Sequence, residues 1–208
     1  MENQAKDLMK SGDTAVITAK KIKEYCDVFL NNSLNDKETA QFIEIATAYN
    51  LNPFKREIYC VPYESYNKLK GCKERKLSIV TGYEVYLKRA ERSGKLAGWE
   101  VKTGGKFGQS DFRGIIKIYR HDWKEPFQHE VYFSEYKQNT HIWNTKPVTM
   151  IKKVAVAQGF RMAFPDEMGG LPYTSDELPE NMTKDVTEKP QVEPDLKKDK
   201  KQTAPLQI

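Results

Sequence analysis

Cationic and aromatic side chains are the two chemically informative groups in this sequence. It contains 34 Lys and Arg against 29 Asp and Glu, a formal net charge of +5, together with eleven Tyr, nine Phe and three Trp. Aromatic rings stack on nucleobases and cations hold phosphates, which is the combination that a single-stranded nucleic acid requires. The same rings are also ordinary core and strand residues, and the positive surplus is modest. Composition therefore leaves nucleic-acid binding and an ordinary globular protein both open.

The sequence lacks the loop that an ATP-driven protein needs. A P-loop places Gly-Lys after an upstream glycine and before a Ser or Thr. The two Gly-Lys pairs, Gly94-Lys95 and Gly105-Lys106, have neither of these neighbours. We therefore expect ATP-independent function and no nucleotide cofactor.

The sequence also gives little indication of a metal site or of a catalytic nucleophile. The histidines and cysteines do not show the clustered spacing of a zinc site; they are His121, His129, His141, Cys26, Cys60 and Cys72. One enzyme hypothesis uses Asp122 with Glu135-Tyr136-Lys137, because carboxylates can hold Mg²⁺ while a lysine orients the attacking water of a nuclease. Glu-x-Lys triplets arise easily by chance in a chain this rich in Glu and Lys, so surface ion pairing is the better interpretation. The sequence predicts a protein that is not an enzyme and has no metal.

Hydrophobic spacing predicts the elements of the first half. Ile22, Tyr25, Cys26 and Phe29 follow helical periodicity after Thr18, and Asp36 is expected to cap a second helix that ends before Pro53. Residues 57–61 and 77–80 are expected to form short strands joined by a polar, Lys-rich link over 67–76. A capping box of Thr81 with Glu84 should start a helix over 83–93, with Gly94 as its left-handed cap.

The second half predicts three more strands and a long helix. Residues 99–103, 114–120 and 127–136 are the strand candidates, and the last two show the period-two alternation of antiparallel strands with one partly solvated face. Residues 147–164 are apolar nearly all round the helical wheel, which indicates burial on more than one face. The fold class is therefore α+β, an antiparallel sheet of about five strands flanked by helices.

Polar segments flank this predicted core. Residues 1–17 are expected to form a flexible arm, residues 18–177 a core domain, and residues 178–208 a disordered, charged tail with several prolines. The first residues have no apolar signal-peptide region, and no apolar run reaches the length of a membrane span. With an odd number of cysteines, these features predict a cytoplasmic protein without membrane association.

Short motifs in a fixed order give the chain a family resemblance. It resembles the RecT family of phage single-strand annealing proteins, the group that includes Bet, over residues 36–177. The resemblance is carried by residues 51–59 (LNPFKREIY), 80–84 (VTGYE), 98–99 (GW) and 117–126 (KIYRHDWKEP), and by Trp143, Pro147, Met150, Ile151, Lys152, Ala155, Arg161, Ala163 and Phe164. The chain departs from the family where lysines are replaced by Val148 and Val154. The family's partner-recruiting C-terminal region is not recognisable here.

The resemblance implies a function. It implies ATP-independent binding of single-stranded DNA and annealing of complementary strands in phage-type homologous recombination. It also implies a homo-oligomer, either a ring or a helical filament, in the cytoplasm of a bacterial host cell. The implied partners are single-stranded DNA, the nascent duplex, a phage 5′→3′ exonuclease and the host single-strand-binding protein.

Ten cations are candidate DNA ligands: Arg161, Lys152, Lys153, Arg120, Lys117, Lys55, Arg56, Lys88, Arg89 and Arg92. Arg161 lies on an apolar helix face, so it must pair with either a core carboxylate or a DNA phosphate. Lys117 and Arg120 lie on opposite faces of one strand, and Arg120 is favoured by its motif. For Lys152, Lys153 and the basic patch on the helix over 83–93, a solvated surface is the alternative. Lys55 and Arg56 either hold a phosphate or merely flank the turn.

Three aromatic residues are candidates for base stacking or for a subunit interface. Trp143, Tyr83 and Trp99 are core candidates first, and one or two of them could instead contact bases or a neighbouring copy. We expect phosphates to lie in a groove between the sheet and the helix that begins at Pro147, with the bases open to a complementary strand. The rival hypotheses are a Mg²⁺ nuclease and a passive single-strand-binding protein.

Overall fold

Helices and strands of the chain are described for residues 17–30 and 33–178 in a computed structural model. The helices of this part are α1 (Ala19–Phe29), α2 (Asp36–Ala48), α3 (Tyr83–Arg92), α4 (Phe133–Tyr136), α5 (His141–Thr145), α6 (Pro147–Ala163) and α7 (Pro165–Met168). The strands are β1 (Ile58–Asn67), β2 (Cys72–Thr81), β3 (Leu96–Gly104), β4 (Arg113–Arg120) and β5 (Phe127–Tyr132), and short 3₁₀ turns cover Pro53–Lys55 and Ser175–Glu177. The predicted α+β class is confirmed. The strands form two antiparallel sheets, β1-β2 and β3-β4-β5, rather than a single sheet.

The first two helices begin at capping side chains. The Thr18 hydroxyl accepts a hydrogen bond from the Lys21 backbone N–H, and α1 buries Ile22 and Cys26. Asn35 caps α2, where its side chain accepts from the Glu38 N–H and the Glu38 carboxylate accepts from the Asn35 N–H. The prediction that Asp36 caps this helix was therefore wrong by one residue. The amide of Asn35 is already in position, and Asp36 enters the first turn, where its negative charge favours the helix dipole.

Strands β1 and β2 form a long hairpin that extends beyond both predicted strands. The register runs from Ile58 opposite Thr81 to Asn67 opposite Cys72. Most of the expected polar link over residues 67–76 is therefore strand. A two-stranded ribbon exposes both faces at its far end, so charged side chains can alternate there without a core to bury them. Leu69, at the turn, is 98% exposed.

The step from β2 into α3 uses a different cap from the predicted one. Thr81 ends β2, and its hydroxyl donates to the Glu57 carbonyl oxygen across the hairpin base at 2.5 Å. Gly82 occupies the N-cap position without a side-chain bond, so the expected capping box does not form. Gly94 has φ +70°, which confirms the expected left-handed cap.

Helix α6 packs directly on the inner face of the three-stranded sheet. Ile116 and Ile118 of β4 point toward it and are fully buried. A Cβ added at Gly114 would lie 2.7 Å from the Ile151 carbonyl oxygen, and one at Gly159 would lie 2.5 Å from a methyl group of Ile116. Helix and sheet are therefore in close contact, and the groove expected between them does not exist. The prediction of a helix buried on more than one face is confirmed.

Strand β5 is shorter than predicted. It ends at Tyr132, and the next four residues turn into α4. The Phe133 ring contacts Phe112 at 5.4 Å and Trp143 at 5.7 Å between ring centroids. The chain turns away from the sheet at this aromatic contact, although Phe133 continues the apolar alternation of Phe127, His129 and Val131.

A segment that we call the C-terminal strap, residues 171–178, crosses the side of α6 opposite the sheet. The Thr81 N–H donates to the Tyr173 carbonyl oxygen at 3.0 Å, and Thr81 and Thr174 form a parallel bridge. The Tyr86 hydroxyl donates to the Pro172 carbonyl oxygen at 2.6 Å. The strap thereby joins β2, α3 and α6.

The predicted terminal segments lie mostly outside the described residues. Of the expected N-terminal arm (1–17) and charged tail (178–208), only Ile17 and Leu178 fall within them, so both predictions stay untested. Among the helices that are described, none has the length and apolar character to cross a bilayer.

Glu38 and Arg75 connect α2 to the projecting hairpin. Arg75 Nε donates to Glu38 Oε1 at 2.8 Å and its Nη2 donates to Oε2 at 3.0 Å. These hydrogen bonds lower the pKa of the nearly buried Glu38 carboxyl, against a smaller opposing effect of burial. The charged form of Glu38 is therefore the form that stabilises the fold.

We predict that Glu38→Gln lowers the free energy of unfolding by about 1–2 kcal/mol, because charge-assisted hydrogen bonds to Arg75 and to Asn35 are weakened. The stabilisation is present above the ordinary glutamate pKa and is lost as pH falls through the lowered pKa of the folded state. Urea unfolding at several pH values should therefore show a shallower acid loss for the variant. Glu44→Gln, an exposed carboxylate of the same helix, is the control. Equal acid sensitivity of the wild type and Glu38→Gln would contradict the assignment.

Candidate nucleic-acid interface

A cleft of about 660 Å³ lies between α1, the base of the hairpin, the start of α3 and the strap. Side chains from six parts of the chain meet there, so the cleft exists only in the folded structure. Its lining combines aromatic rings, two cations and two carboxylates with small polar groups: Tyr25, Phe29, Pro53, Phe54, Arg56, Tyr59, Val61, Val80, Thr81, Gly82, Tyr83, Glu84, Lys153, Thr174, Ser175 and Asp176.

Three rings form an aromatic wall, defined as Tyr25, Phe29 and Phe54. Tyr25 and Phe29 lie one helical turn apart on α1 and stack at 5.1 Å between centroids. Phe54 meets them edge-on at 5.2 and 5.7 Å, because the turn that begins at Pro53 carries it to α1. Phe29 remains 62% and Phe54 46% exposed. Such open ring surface is available for stacking on a base.

Two cations stand at the cleft. Arg56 follows the 3₁₀ turn with φ +57°, a left-handed conformation, and its side chain is exposed. Lys153 of α6 places its Nζ 6.0 Å from the Tyr83 ring centroid and 3.5 Å from Asp176 Oδ2. The cleft therefore offers positive charge beside aromatic surface, the arrangement that a phosphate with an attached base requires.

The hairpin extends this surface outward. Tyr59 lies opposite Val80 at the cleft, and Tyr63 lies opposite Lys76 four residues further out. Directly opposed residues share one face of an antiparallel pair, and residues at even spacing share it along the strand. Tyr63 and Lys76 therefore continue the same face beyond the cleft.

Arg161 has the core carboxylate as its partner. Its guanidinium donates to both oxygens of Glu177, at 2.9 and 2.7 Å, and to the Tyr86 hydroxyl at 2.9 Å. The Tyr173 ring covers it at 4.2 Å. Of the two alternatives for Arg161, the structure contains the internal ion pair and not a cation presented to phosphate.

Arg120 is also bound internally. It donates to the carboxylate of Asp122 at 2.8 and 2.5 Å and to the Ala163 carbonyl oxygen at the end of α6. Its guanidinium lies between the rings of Trp123 and Phe164, at 4.3 and 4.8 Å. The Arg120 side chain, 8% exposed, thus satisfies a helix terminus, and its assignment as a phosphate ligand stays a prediction.

The predicted basic patch on α3 lies in a second, smaller pocket of about 420 Å³. Lys88 pairs with Glu57 at 3.0 Å. Arg89 donates to the carbonyl oxygens of Tyr49 and Glu167, so it ties α2 and α7 to α3. Burial, and to a lesser degree the nearby Arg92, lowers the pKa of Arg89. Two of these three cations therefore already have structural partners, and Arg92 is exposed.

The remaining predicted cations are spread over different surfaces. Lys117 lies on the outer face of the three-stranded sheet, opposite Glu100 and Gln128, and Arg120 lies on the other face as expected. Lys152 is half-buried next to Lys153 but is turned about 100° around α6. Lys55 is exposed beside Arg56 in the same turn. Of the ten predicted cations, Arg56 and Lys153 line the larger cleft.

The three aromatic residues that were predicted to stack on bases or to form a subunit interface also lie in different parts of the structure. Trp143 is fully buried, which excludes it from stacking on a base in this conformation. Trp99 is partly exposed at the sheet and meets Phe160 edge-on at 5.7 Å. Tyr83 lines the cleft. Sequence reasoning missed the aromatic wall, although Phe54 directly after Pro53 and the adjoining rings of α1 were available signals.

The residues of the nuclease hypothesis are not brought together. Asp122 lies in the turn before β5 and binds Arg120, whereas Glu135 lies in α4 beyond the other end of β5. Six strand residues span about 20 Å, too far for two carboxylates to share one ion. In residues 17–30 and 33–178 no group of three His, Cys, Asp or Glu side chains is placed to hold a metal.

We predict that Arg161→Ala destabilises the fold by about 3 kcal/mol, because Glu177 would be left charged and buried without its partner. Lys152→Ala, on the same helix, should change stability by less than about 0.5 kcal/mol. Urea unfolding measures both variants. A double substitution, Arg161→Met with Glu177→Gln, should recover part of the lost stability, because no buried charge remains and the glutamine carbonyl can still accept from Thr174. An unchanged midpoint for Arg161→Ala would show that the ion pair is not structural.

The chain matches known proteins over most of its length. A family model described as the RecT family matches residues 15–194. An uncharacterized protein, UU154, of Ureaplasma parvum serovar 3 is 31% identical over 147 residues, which are 68% of this chain and 61% of that protein. The chain thus spans about three-fifths of the length of this curated relative. Because the family model covers far more than half of the sequence, the chain belongs to the RecT family.

Proposed function

We propose that the chain binds single-stranded DNA in the cleft and anneals complementary strands in phage-type homologous recombination, without ATP. The observation that carries this proposal is the exposed aromatic wall beside Arg56 and Lys153. Membership of the RecT family supports recombination by annealing. The absence of a P-loop pattern in the sequence supports independence from ATP.

The proposed mechanism needs no chemical step. Arg56 and Lys153 hold phosphates, while Phe29, Phe54 and Tyr83 offer ring surface to the bases regardless of sequence. The cleft is open to solvent, so bases that do not stack remain available to a complementary strand. Base pairing then supplies the driving force. Binding should weaken steeply as salt increases, because released counterions contribute to it.

Assembly and partners are part of the proposal. We expect several copies to line one strand as a ring or a helical filament, since one cleft holds few phosphates. The projecting hairpin, with its 98% exposed Leu69, reaches beyond the body of one copy. A phage 5′→3′ exonuclease would supply single strands, and the host single-strand-binding protein would be met on them, in the cytoplasm of a bacterial cell.

A passive single-strand-binding protein is the second candidate function. The same rings and cations would serve it, and a cleft that enclosed the bases would protect the strand and block pairing. The half-exposed rings of the aromatic wall favour annealing over protection. The rate of strand pairing distinguishes the two functions.

We predict that the protein accelerates pairing of two complementary labelled oligonucleotides without ATP, with or without Mg²⁺, and that acceleration fades as salt increases. The assay follows duplex formation and strand length together. Slower pairing with intact, bound strands would establish the passive binder instead. Cleavage on addition of Mg²⁺ would establish a nuclease and contradict the proposal.

We predict that Phe54→Ala weakens binding of a single strand by about 1–3 kcal/mol, because one stacking ring is lost. The control is Phe107→Ala, which removes a ring that is 56% exposed but lies in the loop after β3 and outside the cleft lining. Fluorescence anisotropy with a labelled oligonucleotide measures both. Equal losses for the two variants would show that the cleft is not the binding surface.

The matched charge variants test the phosphate contact. Arg56→Ala should lower affinity and reduce the slope of log affinity against log salt by about 0.7, the contribution of one phosphate on a single strand. Lys102→Ala removes one positive charge from the outer face of the three-stranded sheet, where the slope should stay unchanged. A lower slope for Lys102→Ala and not for Arg56→Ala would place the DNA on that sheet.

A further inference from the structure

Both cations on the strap side of α6 face carboxylates of the strap. Lys153 lies 3.5 Å from Asp176, and about two helical turns further on Arg161 binds Glu177 at 2.7 Å. The acids are neighbours in sequence, in the 3₁₀ turn Ser175–Glu177. The strap therefore offers carboxylate oxygens to two of the ten side chains that the sequence predicts as phosphate ligands.

The pair of Arg161 and Glu177 is a fixed anchor. Glu177 is 3% exposed and also accepts hydrogen bonds from the Thr174 N–H at 3.1 Å and the Thr174 hydroxyl at 2.7 Å. A buried carboxylate with this many donors cannot leave without a large loss of stability. Glu177 therefore keeps the strap in place.

The pair of Lys153 and Asp176 is much weaker. It consists of one contact at 3.5 Å, and the Lys153 side chain is 35% exposed. Burial raises the pKa of Asp176 above its ordinary value, and Lys153 offsets this only in part. Lys153 is therefore held by a single long contact beside solvent, and another anion can replace that contact.

Lys153 and Asp176 both line the cleft, beside Tyr83. A phosphate that approaches Lys153 meets the negative charge of Asp176 at the same ammonium group. We propose that Asp176 is an internal competitor that occupies Lys153 until a DNA phosphate displaces it, and so lowers the affinity of each cleft for single-stranded DNA. This inference rests on the proposed function of the cleft.

The competitor gives the cleft a defined release step. When a strand leaves, Asp176 takes back Lys153, so the cation is not left unpaired inside the cleft. The anchor at Glu177 keeps Asp176 within reach throughout. The contact between Lys153 and the DNA backbone is therefore exchanged for a contact with Asp176 and is not simply broken. Such an exchange suits a protein that must release strands after pairing.

Asp176→Asn tests the inference, because the amide keeps the shape of the side chain and removes its charge. Affinity for a labelled oligonucleotide should rise several-fold, because a phosphate no longer has to displace a carboxylate from Lys153. Lys153→Ala should have a small effect in the wild type and a larger one in the Asp176→Asn background. The inference thus predicts coupling between the two positions.

Glu84→Gln is the matched control, since Glu84 also lines the cleft and faces Tyr83. Removing the charge of Glu84 should raise the affinity for DNA only by making the electrostatic potential of the cleft less negative. This gain in affinity should therefore persist when Lys153 is replaced by Ala. The gain from Asp176→Asn should disappear with Lys153→Ala. Equal gains with and without Lys153 would overturn the inference, because Asp176 would then act only through its charge.

Two further outcomes are decisive. Weaker binding by Asp176→Asn, at an unchanged unfolding midpoint, would mean that Asp176 positions Lys153 for DNA and does not compete with it. Unchanged binding would likewise overturn the inference while the proposed function stands. Failure of the folded wild-type protein to bind the oligonucleotide at low salt would instead contradict the proposed function itself.

Discussion

The ion pair between Arg161 and Glu177 holds the strap against the side of α6 that faces away from the three-stranded sheet. Helix α6 is apolar nearly all round, so it needs cover on both sides. The three-stranded sheet covers one side through the close approaches at Gly114 and Gly159. On the other side Arg161, whose side chain is 23% exposed, would be a poorly solvated charge without a partner, and Glu177 brings the strap across to neutralise it. The strap in turn bonds to Thr81 and Tyr86, which fixes the hairpin base and α3 relative to α6.

The position of the cleft follows from this arrangement. A groove between α6 and the sheet is impossible, because the two are packed to contact. The space lies instead where the strap, the start of α3 and the hairpin base converge without a further element to fill it. The strap thus provides one wall of the cleft and brings Asp176 into it. The same pairing that stabilises the helix therefore sets the charge of the surface beside it.

The spacing of neighbouring residues predicted the helices and strands. Contacts between residues far apart in sequence decide the features that this spacing could not predict. The apolar wheel of α6 and the alternation in β4 are properties of neighbouring residues, so both elements were predictable. The partner of Arg161 was not, because the helix ends before Glu177 and the reversal of the chain between them has no period. The rings of α1 illustrate the same limit. Tyr25 and Phe29 have the spacing of a core stripe, and only the tertiary structure shows Phe29 exposed.

On the proposed function, the number of free cations limits what one copy can do. Arg56 and Lys153 are the two cations in the cleft lining, and two phosphate contacts on a single strand correspond to a salt slope of only about 1.4. Such a site alone binds weakly at physiological salt. Several copies along one strand multiply weak contacts without enclosing the bases, because linked sites gain from high effective concentration. A weak cleft is therefore compatible with firm holding of a strand, and it leaves each contact free to exchange as the duplex forms.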